Sequence, residues 1–156
     1  MAEGQIESME GLVRIISSKL KLVRVEQGFS QVKMSEILGL SKKTLVQIEK
    51  ERILSGWTVC VAVCALFRQS EVLQTTVGGD PLEVVQALSD IKTVGPREKT
   101  WGGKVWWRLE KREGRFRLQK NTVSGHYRIL DEENYRWCSS FDREFMLETL
   151  SQLANQ

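Results

Sequence analysis

The hydrophobic period of this chain changes near residue 100, and that change limits what it can fold into. From Met9 to Ile91 apolar residues recur every three or four positions, whereas from Val105 to Trp137 they recur every second position. The first spacing lines one face of a helix and the second lines one face of a strand. Helices followed by strands define an α+β chain, not an alternating α/β one. Between the two regimes lies K-T-V-G-P-R-E-K-T (92–100), where Gly95 and Pro96 interrupt any helix and few apolar residues remain. The organisation expected is a helical domain over 1–93, a linker over 94–100 and a small α+β domain over 101–156.

The first part reads as five helices. Met9, Leu12, Val13, Ile16, Leu20 and Val23 predict one long amphipathic helix over 6–27. Shorter helices are expected from Gln31 to Leu38 and from Lys42 to about Lys50, with Val32, Ile37, Leu38, Leu45 and Ile48 turned inward. W-T-V-C-V-A-V-C-A-L-F opens a fourth helix from Trp57 to about Leu73, apolar almost all round. Asp80, Pro81 and Glu83 then form a helix-start signal, as cap, first position and third position. Val84, Val85, Leu88 and Ile91 give the fifth helix its apolar face.

In the second part Val105, Trp107 and Leu109 alternate with Trp106 and Arg108, K-R-E-G (111–114) reads as a turn, and Phe116 and Leu118 alternate with Arg115 and Arg117. That pattern predicts a β-hairpin. Tyr127 and Ile129 suggest a third strand, Tyr135 and Trp137 a fourth after D-E-E-N, and a last helix runs from about Asp142 to Leu153. The expected unit is a small antiparallel sheet backed by one helix.

Residues 28–52 carry the strongest functional signal. Gly39 supplies the positive φ of a tight helix exit. Ser41 follows as a cap for the next helix, which opens with Lys42, Lys43 and Thr44. Two short helices at a sharp corner, the second beginning with short and cationic side chains, are the grammar of a helix-turn-helix that enters the major groove. From Leu20 to Phe67 the chain resembles the lambda-repressor-like, Cro-type helix-turn-helix family of bacterial and phage regulators. Arg24, Gly28, Gln31, Ser35 (where Ala is usual), Ile48 and Glu49 match that family's pattern. Glu51 departs from it, standing where Gly commonly ends the recognition helix, and Leu54 stands where Pro is common. The resemblance implies a five-helix DNA-binding domain, an ion pair between Arg24 and Glu49, and a phosphate contact from Gln31. Ser30 reads as a plain helix cap, a second phosphate contact, or both at once. Lys42, Lys43 and Gln47 are expected to face the groove, with Gln47 the better reader of bases because a flexible lysine settles readily on phosphate. Thr44, Lys50 and Arg52 complete the expected DNA-contacting set with Ser41.

The net charge of +3 is too small to argue for a polyanion, but its distribution does. Residues 97–128 hold 10 Lys and Arg against Glu98, Glu110 and Glu113, and such a concentrated basic segment attracts polyanions. Its interleaved Trp101, Trp106, Trp107, Arg108, Arg115, Phe116, Arg117, Tyr127 and Arg128 fit three readings: a core of Trp107, Phe116 and Tyr127 with arginines outside, a protein or dimer interface, or a second nucleic-acid surface. Cys60 and Cys64 sit one turn apart in an apolar helix, where neither a disulfide nor a zinc site is expected. They read as packed core in a reducing cytoplasm. No stretch is apolar enough for a membrane span, and the acidic start is unlike a secretory signal. His126 is the only histidine, Asp131, Glu132 and Glu133 read as a solvated turn, and Gly102 and Gly103 as a turn. No enzyme, cofactor or metal is expected. The expected function is a sequence-specific regulator of double-stranded DNA, a repressor acting as a homodimer. The alternative is an adaptor or antitoxin-like protein whose C-terminal half binds a protein partner while DNA binding serves autoregulation.

Overall fold

The computed structural model describes residues 6–96, 98–103 and 105–156. Among the described residues the architecture is α+β: six helices, a four-stranded antiparallel sheet and a seventh helix. The chain forms two compact units, one of residues 8–85 and one of residues 86–156 together with Ile6 and Glu7.

The helical unit is built around α1 (Met9–Glu26), which packs against α3 (Lys42–Glu49), α4 (Trp57–Leu66) and α5 (Glu71–Val77). Helix α2 (Gln31–Leu38) packs on α3 and α4, and α6 (Pro81–Leu88) ends the series. Leu12, Ile16, Leu20 and Val23 form the buried stripe of α1, and Met34, Leu45, Ile48, Cys60, Val63, Cys64, Leu73 and Val77 are among the buried residues of the helices that follow. All three cysteines are buried. A hydrogen bond with Cys60, then burial, pushes the Cys64 thiol up from its ordinary value, as expected of packed and unreactive sulfur.

Several sequence expectations change. Helix α1 begins at Met9 because the Ser8 side chain accepts the Gly11 N–H at 3.0 Å, and Met9 itself is exposed. The long fourth helix breaks in two after Leu66. Ser70 accepts the Leu73 N–H at 3.2 Å and starts α5, so the count is six helices before the sheet where five were expected. Val32 is exposed and Met34 and Ser35 take its place in the core. Ile91 is also exposed, because α6 ends at Leu88 and Asp90 adopts a left-handed φ of 57°.

The second unit is a meander of β1 (Trp107–Glu113), β2 (Phe116–Asn121), β3 (Tyr127–Leu130) and β4 (Arg136–Ser140), in that spatial order. Helix α7 (Arg143–Ala154) starts where Asp142 accepts the Phe145 N–H at 3.0 Å. Phe116, Leu118, Tyr127, Ile129 and Cys138 of the sheet form one core with Met146, Leu150 and Leu153 of α7. In the stretch read as a linker, Gly95 and Thr100 donate to the carbonyls of Trp137 and Asn134, and Glu98 accepts from Arg136.

The first hairpin differs from its expected form. Strand β1 runs through K-R-E to Glu113, so the turn is only Gly114 and Arg115. A bulge between Leu109 and Lys111 resets the alternation. Val105 precedes the strand and is exposed, and Leu109 is exposed on the sheet. Asp131 is buried, not solvated. Its carboxylate accepts the N–H groups of Glu133 (2.9 Å) and Tyr135 (3.0 Å) and the indole N–H of Trp137 (2.9 Å).

Candidate nucleic-acid interface

The corner between α2 and α3 is made by local chemistry. Gly39, at φ 68°, lets the chain leave α2 while Leu40 N–H reaches the Ser35 carbonyl at 2.9 Å and Gly39 N–H reaches Glu36 at 3.3 Å. This is a Schellman ending. Two residues later the Ser41 Oγ accepts the Thr44 N–H at 3.1 Å and donates to the Thr44 hydroxyl at 2.8 Å. Ser30 caps α2 in the same way, accepting from Lys33 at 3.1 Å.

Leu45 and Ile48 bury one side of α3, and Lys42 and Lys43 stand exposed at its amino end. Thr44 and Gln47 are half-buried, while Lys50 and Arg52 are exposed at its carboxyl end. Arg24 of α1 grips Glu49 of α3 with two parallel bonds, Nε to Oε2 at 2.8 Å and a terminal nitrogen to Oε1 at 2.9 Å. The other terminal nitrogen donates to the Phe29 carbonyl at 2.9 Å. The side chains of Arg24 and Glu49 are only 14% and 4% exposed. Hydrogen bonding to Glu49 outweighs burial and holds the Arg24 guanidinium above its ordinary value. Gln31 also turns to this pair, its amide donating to Glu49 at 3.4 Å.

The helix ends at an unusual residue. Glu51, at φ 58°, takes the left-handed position, its N–H on the Ile48 carbonyl (2.9 Å) and that of Arg52 on Gln47 (3.0 Å). The backbone follows the glycine pattern although the residue is glutamate.

The aromatic and cationic residues singled out in the second unit do not form one surface. Arg108 is exposed and pairs with Glu110 at 2.8 Å. Arg115 lies over the rings of Phe116 (4.7 Å) and Trp137 (5.4 Å). Arg117 is half-buried, bonded to the Asp131 carbonyl at 2.8 Å and to the Asn134 side chain. Arg128 is only 6% exposed, so it is not a surface residue. Its guanidinium lies 3.8 Å from the centre of the Trp107 ring and donates to Gln119 at 2.9 Å. Trp106 is half-buried, its carbonyl held by Thr122. His126 is buried edge-on to Trp107, 5.0 Å between centroids, with Ser124 at its Nδ1.

Arg112 and Gln119 were not singled out by sequence, yet with Trp101, Trp107 and Arg117 they help line one cavity of about 440 Å³. Centring the tight turn two residues later, on Gly114 and Arg115, would have set Arg112 opposite Arg117.

No family model matches this chain, and no curated protein or solved structure matches it either.

Proposed function

We propose that this protein is a sequence-specific regulator of double-stranded DNA, a repressor acting as a homodimer, that reads the major groove with α3. The reading rests on the resemblance over Leu20–Phe67 and on one observation: a helix anchored by Leu45 and Ile48 that keeps Lys42 and Lys43 free in solvent at its amino end. The positive end of a helix dipole and two exposed ammonium groups suit a phosphate-lined groove. The Arg24–Glu49 bridge supports the same reading as a brace, because a reading helix discriminates bases only if its orientation is fixed. Gln31, leaning on that brace, keeps amide hydrogen-bonding capacity for a phosphate. No enzymatic step and no cofactor enter this reading. Repeated selection of bound duplexes from a random-sequence pool tests it. A consensus should emerge, and a pool that stays random while the protein remains folded overturns it.

A further inference from the structure

We infer that the sheet face turned away from α7 holds a binding site for a small organic anion bearing a planar ring. The cavity there, about 440 Å³, falls within the roughly 300–1,000 Å³ of small-molecule sites. Two cations, Arg112 and Arg117, line it, and among the described residues no acidic one does. The strand register sets Arg112 directly opposite Arg117, and like charges so placed weaken an antiparallel pair. Among the described residues Arg112 makes no ion pair, and Arg117 donates its hydrogen bonds to neutral groups, the Asp131 carbonyl and the Asn134 side chain. Burial first, and Arg112 second, pull the Arg117 guanidinium below its ordinary value, with Asp131 offsetting only part of this. A carboxylate or phosphate between the two arginines would relieve the repulsion through charge-assisted, fork-shaped hydrogen bonds.

The rest of the cavity calls for a ring. Trp101 is completely exposed, at 101%, and an indole left wholly in water at the rim of a pocket offers its face for stacking. Trp107 also lines the cavity, mostly buried and held by the Arg128 guanidinium 3.8 Å from its ring centre. Gln119 is oriented from both ends, its amide on the Gly102 carbonyl at 2.8 Å and its oxygen on Arg128. Gly103, at φ 63°, presses so close that an added Cβ would meet the Trp107 ring at 2.3 Å. These walls are built before any ligand arrives, which lowers the ordering cost of binding. A bare inorganic anion would leave most of the space and both indoles unused.

The site is read from binding to the protein alone, so it stands or falls independently of the DNA reading. Calorimetric titration with thymidine 5′-monophosphate and with indole-3-acetate, beside thymidine and inorganic phosphate as half-ligands, tests it. Both ring-bearing anions should bind, and each half-ligand should bind at least about tenfold more weakly, equivalent to about 1.4 kcal/mol. Arg112→Gln should weaken the ring-bearing anions about tenfold while the unliganded variant melts no lower than the parent, since a repulsive pair has been removed. Trp101→Ala should weaken the ring compounds and leave phosphate unchanged. Absence of binding by both ring-bearing anions in the millimolar range, equal binding by a half-ligand, or indifference to Arg112→Gln overturns the inference. So does an oligothymidylate that binds far more tightly than the mononucleotide and loses this with Arg112→Gln, because the face would then belong to single-stranded nucleic acid.

Discussion

Glu51 holds a backbone conformation that costs an L-residue with a Cβ about 1–2 kcal/mol, at a position where glycine takes it without strain. Both Schellman bonds at the end of α3 are formed, so replacing the side chain disturbs no backbone partner. Glu51→Gly should therefore raise unfolding stability by about 1 kcal/mol, read as a higher urea midpoint at unchanged slope. A lower midpoint would mean that the glutamate makes a compensating contact. At the other end of the same helix, Lys42→Ala and Lys43→Ala should each weaken duplex binding and flatten its salt dependence by about one unit of slope. Gln47→Ala should instead relax base preference while the salt slope holds. Titration of a selected duplex across a salt series separates these effects, and identical slopes for all three variants and the parent would remove α3 from the interface. Gly39 and Ser41 were legible in the sequence as the corner because a positive φ and a capped amide depend on two or three neighbouring residues. Arg112 was not, because its meaning depends on which residue faces it across the sheet.

Element boundaries show the same division between local and distant causes. The periods of three to four and of two correctly separated helices from strands, and the caps at Ser41 and Asp142 lie where short polar side chains precede apolar runs. The break after Leu66 went unseen because W-T-V-C-V-A-V-C-A-L-F is apolar on every side, so no face could reveal where the next element turned away. The turn at Gly114–Arg115 was placed too early because K-R-E looks like a solvated loop, whereas an edge strand carries charge readily. Between elements, the Arg24–Glu49 bridge is costly to lose. Arg24→Ala would strand the Glu49 carboxylate in a nearly closed site, and breaking such a pair costs about 3–5 kcal/mol. The double variant with Glu49→Ala should recover part of that loss in a double-mutant cycle. If Arg24→Ala and Glu49→Ala simply add, the two side chains are not coupled.

Asp131 ties the end of β3 to the start of β4, and its protonation should register in the stability of the whole sheet unit. Burial alone would raise its pKa, but the Trp137 indole and the N–H groups of Tyr135 and Glu133 outweigh it and leave the carboxyl below its ordinary value. The folded state therefore holds fewer protons than the unfolded chain in this range. The resulting stabilisation is complete above the ordinary aspartate value of about 3.9 and is lost as pH falls through the lower folded value. Asp131→Asn should lower stability by about 1–3 kcal/mol near neutral pH, as expected for bonds to a charged acceptor. The gap from the parent should close in strong acid. Near-ultraviolet circular dichroism across an acid titration follows it, and a gap that persists unchanged to the acid limit would show that the effect is steric.

At the scale of the whole molecule, the proposed regulator needs more reach than one reading head provides. A single eight-residue helix touches only a few base pairs, and specific affinity against a genome of competing sites requires more discrimination than a few contacts supply. Two copies related by a two-fold axis double the contacts, and their symmetry passes to the DNA as a palindrome. Half-sites should lie about 34–36 Å apart, one helical turn, because both reading helices must approach from the same side of the duplex. Inserting five base pairs, about half a turn, between the half-sites should abolish cooperative binding, and inserting a full turn should restore much of it. Light scattering should give twice the mass of one chain at the concentrations where the palindrome is bound. A consensus without two-fold symmetry, bound by one chain at a time, would overturn the dimer while leaving α3 as a single reading head.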